Sequence, residues 1–368
     1  MLFTNARIFT PAGYVPGGFR VEDGVFAALY PGVREGGADL QGAKVLPGLV
    51  DIHIHGAVGE DVSDGDAPGL ERMARYLASR GVTAFLPTLM TLPYARIERA
   101  LGAVKRARRE DPDDGARILG ARLEGPFLSS ERCGAQESAW LREPDAAFAA
   151  RLWEGVRIVD LAPELPGALE LIRRTPPRLI SLGHTAADYD AAAAAFAAGA
   201  RHVTHLFNAM EPFHHRRPGL IGAAAERQDV TAELISDGIH VHPSAVRLAF
   251  RLFAGRLCLV SDALRCCGLG EGRYSLTGRE VEVRDGAAYL PDGTLAGSAT
   301  DLLEALRRAA RFGVGEEQAI RAATITPARV LGEEKRLGSI EEGKAADFLV
   351  CSEDLSLREV YLAGRRIV

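Results

Sequence analysis

Eight short apolar runs, each with a polar or ionisable residue at or near its end, alternate with amphipathic stretches through the middle of the chain. The runs are VLPGLVDIHIH, GVTAFLPT, RILGARLEG, VRIVDLAPE, RLISLGH, HVTHLF, TAELISDG and LCLVSDA. Helical spacing occupies 67–80, 94–109, 145–154, 164–174, 186–199, 243–255 and 300–312. Strands apolar at nearly every position are buried on both faces, and strands alternating with helices build a parallel sheet. Eight such units over about 250 residues suit a closed (β/α)8 barrel better than an open sheet.

The two ends of the chain have a different texture. Segments such as PAGYVPGGF, PGVREGG and GSIEEGKAADFLV are short apolar stretches broken by Gly and Pro, which predict strands rather than helices. Chain termini often lie close together, so the two ends can share one small sheet. The expected fold is α/β: a (β/α)8 TIM-like barrel over 48–334, with a small β-sandwich domain formed by 1–47 plus 335–368.

Composition removes several function classes. Apolar residues make up 47% and charged residues 25%, which is ordinary for a folded globular chain. Basic residues number 44 and acidic 49, so the net charge of -5 offers no basic field for nucleic acid or an anionic membrane. The five cysteines are odd in number and two of them, Cys266 and Cys267, are adjacent. That pattern predicts free thiols and a cytoplasmic protein. No secretory leader and no apolar run of about 18 residues is expected.

The polar residues fall where a barrel gathers them. The runs end in His53 and His55, Thr88, Glu124, Glu164, His184, His205, Asp237 with His240, and Asp262. All strand C-termini of such a barrel open onto one face, where active sites sit. One polar strand end means little, but eight converging ends form a site.

Alternation in Asp51-Ile52-His53-Ile54-His55 predicts that Asp51, His53 and His55 point together into the barrel. Two imidazoles one pleat apart can both ligate a metal. Glu124 follows an apolar strand, where a carboxylate is costly unless paired or metal-bound. With His184 and His205 it makes a nitrogen and oxygen donor set suited to a divalent ion. Asp262 stands where a proton-transfer partner for an activated water belongs, although Ser261 and Asp262 also suit a helix cap. His202 reads as structural. Arg216, after His214 and His215, is a candidate anion clamp, with His240 a second contact; a solvated charge run explains Arg216 nearly as well.

The motifs PGLVDIHIHG, LEGPFLS, GAQ, GHTAA, THLFNAM, HHRRPG, SDGIHVHP, VSDAL and LAGSATDL occur in this order over nearly the whole chain. Together they resemble the sugar-phosphate deacetylases of the metal-dependent amidohydrolase superfamily. That resemblance implies hydrolysis of the acetamide of N-acetyl-D-glucosamine 6-phosphate, with the galactosamine epimer or a different amide as alternatives. It implies that Glu124, His184 and His205 hold a principal metal, with His53 and His55 helping to hold a second where two are bound, so one or two ions per subunit. Zinc is favoured, with iron, manganese and cobalt as alternatives. Asp262 is implied as the acid/base. Asn208, Ala209, Arg216 and His240 are implied sugar-phosphate contacts, and Ala135, Leu295, Ala296 and Gly297 implied backbone contacts. Gln136 replaces a His that polarises the acetyl carbonyl in some members, which leaves it an amide donor to substrate. A homodimer is implied, with Arg216 reaching the neighbouring site.

Overall fold

The structure is a computed structural model that describes residues 1–32, 36–110, 113–175 and 179–368. Residues 33–35 of PGVREGG and Arg178 of the fifth run lie outside the described residues.

The eight runs supply eight parallel strands. They are Leu49–Ile54, Val82–Leu89, Ala121–Phe127, Val156–Leu161, Leu179–Leu182, His202–Val203, Thr231–Leu234 and Leu257–Leu259. Val82–Leu89 and Ala121–Phe127 are buried at every position, as strands covered on both faces must be. Backbone bonds bring the first and eighth strands together: Asp262 N donates to His53 O at 3.0 Å, and His55 N to Ala263 O at 2.9 Å. The barrel is thereby nearly closed.

Amphipathic helices cover the outside. Ala67–Ser79 turns Leu70, Met73, Ala74 and Leu77 inward and is capped by Asp66, whose side chain accepts from Gly69 N at 3.0 Å. Tyr189–Ala198 starts on Asp188 and stops at Gly199, where φ is 130°.

The chain ends share one eight-stranded sheet, as their texture predicts. Lys44–Pro47 runs parallel to Leu2–Thr10 and antiparallel to Phe348–Cys351, with Leu46 opposite Leu349. Its core stacks Phe3 on Phe19 at 4.9 Å and Phe348 on Tyr361 at 4.4 Å. The first apolar run therefore serves both sheets and divides at Gly48. A Cβ at Gly48 would lie 2.0 Å from Thr83 Oγ1, so only glycine fits this crossing.

Two features depart from the sequence reading. A four-stranded antiparallel sheet, Gly272–Leu276, Arg279–Arg284, Ala287–Tyr289 and Leu295–Ser298, is inserted after the eighth barrel strand. Its Leu276, Val281, Val283 and Ala288 pack with Met90, Ala135 and Leu264 at the barrel mouth. The first strand also slips register between Asp51 and Ile54. That irregularity breaks strict alternation, so Asp51 does not join His53 and His55. Asp51 Oδ1 instead accepts the backbone N–H of His53 at 3.2 Å and of Ser261 at 3.4 Å, across the seam.

Candidate active site

Three of the strand ends turn in the same way. His184, His205 and Asp262 have φ of 47°, 26° and 47°, left-handed conformations rare for residues with side chains. Each leaves its strand at that residue. Such strain concentrates at functional sites, where the surrounding structure enforces it. Glu124 precedes Gly125, whose φ is 104° and where a Cβ would meet Thr91 Oγ1 at 2.1 Å.

The side chains meet on Glu124, which is 3% exposed. Its Oε1 lies 3.2 Å from His53 Nε2 and 3.1 Å from both His184 Nε2 and His205 Nε2. Its Oε2 lies 3.2 Å from His55 Nε2. Asp262 Oδ1 sits 3.3 Å from Nε2 of both His53 and His55. Two groups of three ligand atoms result: His53, His55 and Glu124, and Glu124, His184 and His205.

This donor set fits a metal. A second bond orients most of the rings. His55 Nδ1 lies 3.1 Å from Thr88 O, and His184 Nδ1 lies 3.0 Å from Arg132 O. Because a carbonyl only accepts, each Nδ1 carries its proton and each Nε2 presents a lone pair to the cage. His53 Nδ1 lies 3.0 Å from Glu233 Oε2, with the same consequence. His184 Nε2 and His205 Nε2 face each other at 3.0 Å, and His53 Nε2 is a buried nitrogen without a hydrogen bond. Lone pairs of His53, His55 and His184 aimed at a carboxylate call for a cation between them.

The electrostatics favour positive charge within the cage. Burial and Arg122 push the His53 imidazole down, but the Glu124, Asp262 and Glu233 carboxylates outweigh them and hold it well above its ordinary value. Burial also lowers His55, yet Asp262 and Glu124 bring it up to about 9. Burial raises Glu124, but the surrounding imidazoles hold it well below the usual carboxylate range. Asp262 is lowered likewise: His53 and His55 overcome the effect of burial.

A cavity of about 280 Å³ opens over this cage. Ala135, Gln136, Asn208, Ala209, His240, Leu295, Ala296 and Gly297 all line it, together with Asp262 and the cage groups His55, Glu124, His184 and His205. His240 is held by Asp237, its Nδ1 2.6 Å from Asp237 Oδ2. Arg279, from the inserted sheet, hydrogen-bonds Ala135 O and so ties the cavity wall to that sheet.

The amidohydrolase family pattern matches residues 44–367. The chain belongs to the amidohydrolase family. The N-acetylglucosamine-6-phosphate deacetylase of Vibrio furnissii is 40% identical over 357 residues, covering 94% of this chain and 89% of the relative. The N-acetylgalactosamine-6-phosphate deacetylase of Escherichia coli O157:H7 is 37% identical, covering 98% and 97%. A mutant of the N-acetyl-D-glucosamine-6-phosphate deacetylase of Mycobacterium smegmatis, solved with N-acetyl-D-glucosamine-6-phosphate, superposes with a TM-score of 0.94. It is 32% identical, with coverage of 100% of this chain and 99% of that one.

Within this amidohydrolase, not every residue singled out from sequence reaches the cavity. Arg216 is exposed, has Nη1 2.9 Å from His215 Nε2, and lines a separate surface depression with Arg132, Phe213 and Arg217. Gln136 lies in the wall, but its amide donates to Glu124 Oε2 at 2.5 Å and its carbonyl accepts from Thr91 N at 2.8 Å. Gln136 thus orients the Glu124 carboxylate. Glu164 accepts from Thr185 Oγ1 and Ala186 N, which shapes the turn after His184.

Sequence reading missed a charged layer beneath the cage. Arg122 is fully buried and reaches Asp160 at 3.0 and 2.9 Å, Thr204 Oγ1 at 3.0 Å and Glu233. His202 closes the layer, with Nε2 2.9 Å from Glu233 Oε1 and Nδ1 2.6 Å from Thr231 Oγ1. A signal was present: Arg122, Asp160 and Glu233 are charged residues inside apolar runs, which is tolerable only if they pair.

Proposed function

We propose that this amidohydrolase hydrolyses the acetamide of N-acetyl-D-glucosamine 6-phosphate to D-glucosamine 6-phosphate and acetate. The observation that carries the reading is the cavity itself, where Asp262 and the Glu124-centred cage face Asn208, Ala209 and His240 across a space of sugar size. The deacetylases of Vibrio furnissii and Mycobacterium smegmatis support the substrate. The Escherichia coli relative supports a second reading, the galactosamine epimer.

Glu124, His184 and His205 would hold a principal divalent ion, and His53 and His55 with Glu124 a second. Zinc suits imidazole and carboxylate donors, and iron, manganese or cobalt take the same set. Such an ion, when bound, acidifies a water and polarises a carbonyl. Asp262 takes the proton of the attacking water at its carboxylate, then delivers it to the nitrogen as the C–N bond breaks, so acetic acid and a neutral amine leave, and the acid's own proton then passes to the amine or to solvent. Asn208 Nδ2 braces the turn by bonding His205 O and Leu206 O, each at 3.3 Å, beside the sugar position. Arg216 would reach the phosphate in the neighbouring subunit of a homodimer, which accounts for its place outside its own cavity. The barrel unit would span 48–334 and the terminal unit 1–47 plus 335–368. No described helix is long and apolar enough to cross a membrane. A cytoplasmic setting suits the five unbridged cysteines.

The test is acetate release from the two epimeric sugar phosphates and from unphosphorylated N-acetylglucosamine. Release from none of them rejects the substrate class. Chelated protein is expected to lose turnover and to regain it with zinc; full activity of metal-free protein contradicts the metal reading. Arg216→Ala is expected to raise KM for the phosphorylated sugar by about 10–100-fold, the range of one charge-assisted hydrogen bond, with kcat little changed. Steady-state kinetics on both sugars checks this, and an unchanged KM removes Arg216 from the phosphate site.

A further inference from the structure

Glu233 differs from every other support of the cage. The rings of His55 and His184 are oriented by neutral carbonyls, Thr88 O and Arg132 O, whereas His53 is oriented by a carboxylate. Glu233 is fully buried and has no freedom to turn away. Its Oε2 faces His53 Nδ1 at 3.0 Å and the His205 backbone N–H at 3.4 Å. Its Oε1 is taken by Arg122 and by His202 Nε2. A carboxylate behind a ligating imidazole fixes the ring and raises its basicity toward a cation. Of the two ligand groups, only the one containing His53 has this support.

We infer that Glu233 is the positioning residue that decides whether the His53–His55–Glu124 site fills, and so whether the protein holds two ions or one. It acts through His53 and touches neither substrate nor ion. The inference rests on the two-site reading above. Removing the charge while keeping the shape, as in Glu233→Gln, leaves His53 free to carry its proton on either nitrogen. The His184–His205–Glu124 group keeps all of its side-chain supports.

The experiment titrates chelated protein with zinc alone, by calorimetry and by elemental analysis after desalting, in wild type, Glu233→Gln and His55→Ala. Wild type is expected to bind two ions per chain. Glu233→Gln is expected to weaken one of the two affinities by about 10–100-fold and spare the other. His55→Ala should weaken that same site. Two unchanged affinities in Glu233→Gln, or equal weakening of both, overturns the role of Glu233 alone. A single ion in wild type overturns the two-site reading and the inference with it. If Glu233→Gln does not fold by circular dichroism, the zinc-loaded wild type still decides by histidine nitrogen NMR. The His53 proton is expected on Nδ1, in a strong hydrogen bond; zinc on Nδ1 and the proton on Nε2 overturns the inference.

Discussion

Asp262→Asn is expected to lower kcat by about 1,000-fold, within the span of a lost general acid/base, while metal content stays at the wild-type level. The carboxylate is the one acidic group of the cage that faces both the cavity and the paired imidazoles without being shared among all four. Asn keeps its size but cannot accept a proton from water. The fold has little reason to object. Residue 262 has φ of 47°, a conformation that Asn tolerates better than most side chains. Its backbone bonds, N to His53 O at 3.0 Å and O from Ser298 N at 2.9 Å, do not involve the side chain. KM should change less than kcat if, as proposed, the group acts on the reacting atoms. Steady-state kinetics beside elemental analysis of the variant checks this. Turnover within about threefold of wild type with metal retained would falsify the assignment.

What the sequence revealed follows from where each signal sits. The clustered side chains at strand ends stood out because an apolar run announces a buried strand, and the next ionisable residue marks its mouth. His53, His55, Glu124, His184, His205 and Asp262 were found that way, and they do converge. Asp51 did not follow, because strict alternation assumes an unbroken ladder and the first strand slips after it. The inserted sheet over 272–298 was hidden by its half-exposed strands; Arg279–Arg284 alternates exposed Glu280 and Glu282 with buried Val281 and Val283. Next to fully buried barrel strands that weak period of two passes for a loop. Arg216 has the right chemistry for phosphate, yet a loop residue carries no periodicity to say which cavity it faces. The bond of Gln136 to Glu124 was not legible either, because sequence shows the residue type and not its partner.

Arg122→Met is expected to destabilise the fold by about 3–5 kcal/mol, the cost of breaking a buried ion pair from one side. Arg122 is the largest fully buried side chain among the described residues, and it neutralises two carboxylates that are also fully buried. Met fills much of the volume, so the loss is electrostatic rather than a cavity. Asp160 and Glu233 are left facing each other's field with only Thr204 and the histidines as partners. Urea unfolding of the metal-free protein measures the effect without the contribution of bound ions. The mechanism has a sharper consequence in a double-mutant cycle. Asp160→Asn alone removes a partner from Arg122 and should also destabilise. In the double variant the uncompensated charge at 160 is gone, so the combined loss should be smaller than the sum of the two by more than about 1 kcal/mol. Strict additivity would mean that the two side chains do not act as a pair, despite their two bonds of 3.0 and 2.9 Å. Metal affinity gives a separate readout, because Arg122 also holds Glu233 in place behind His53. A layer of charge built only for stability would leave the metal affinity of the folded Arg122→Met protein unchanged. A layer that also sets the cage would weaken the site containing His53 first.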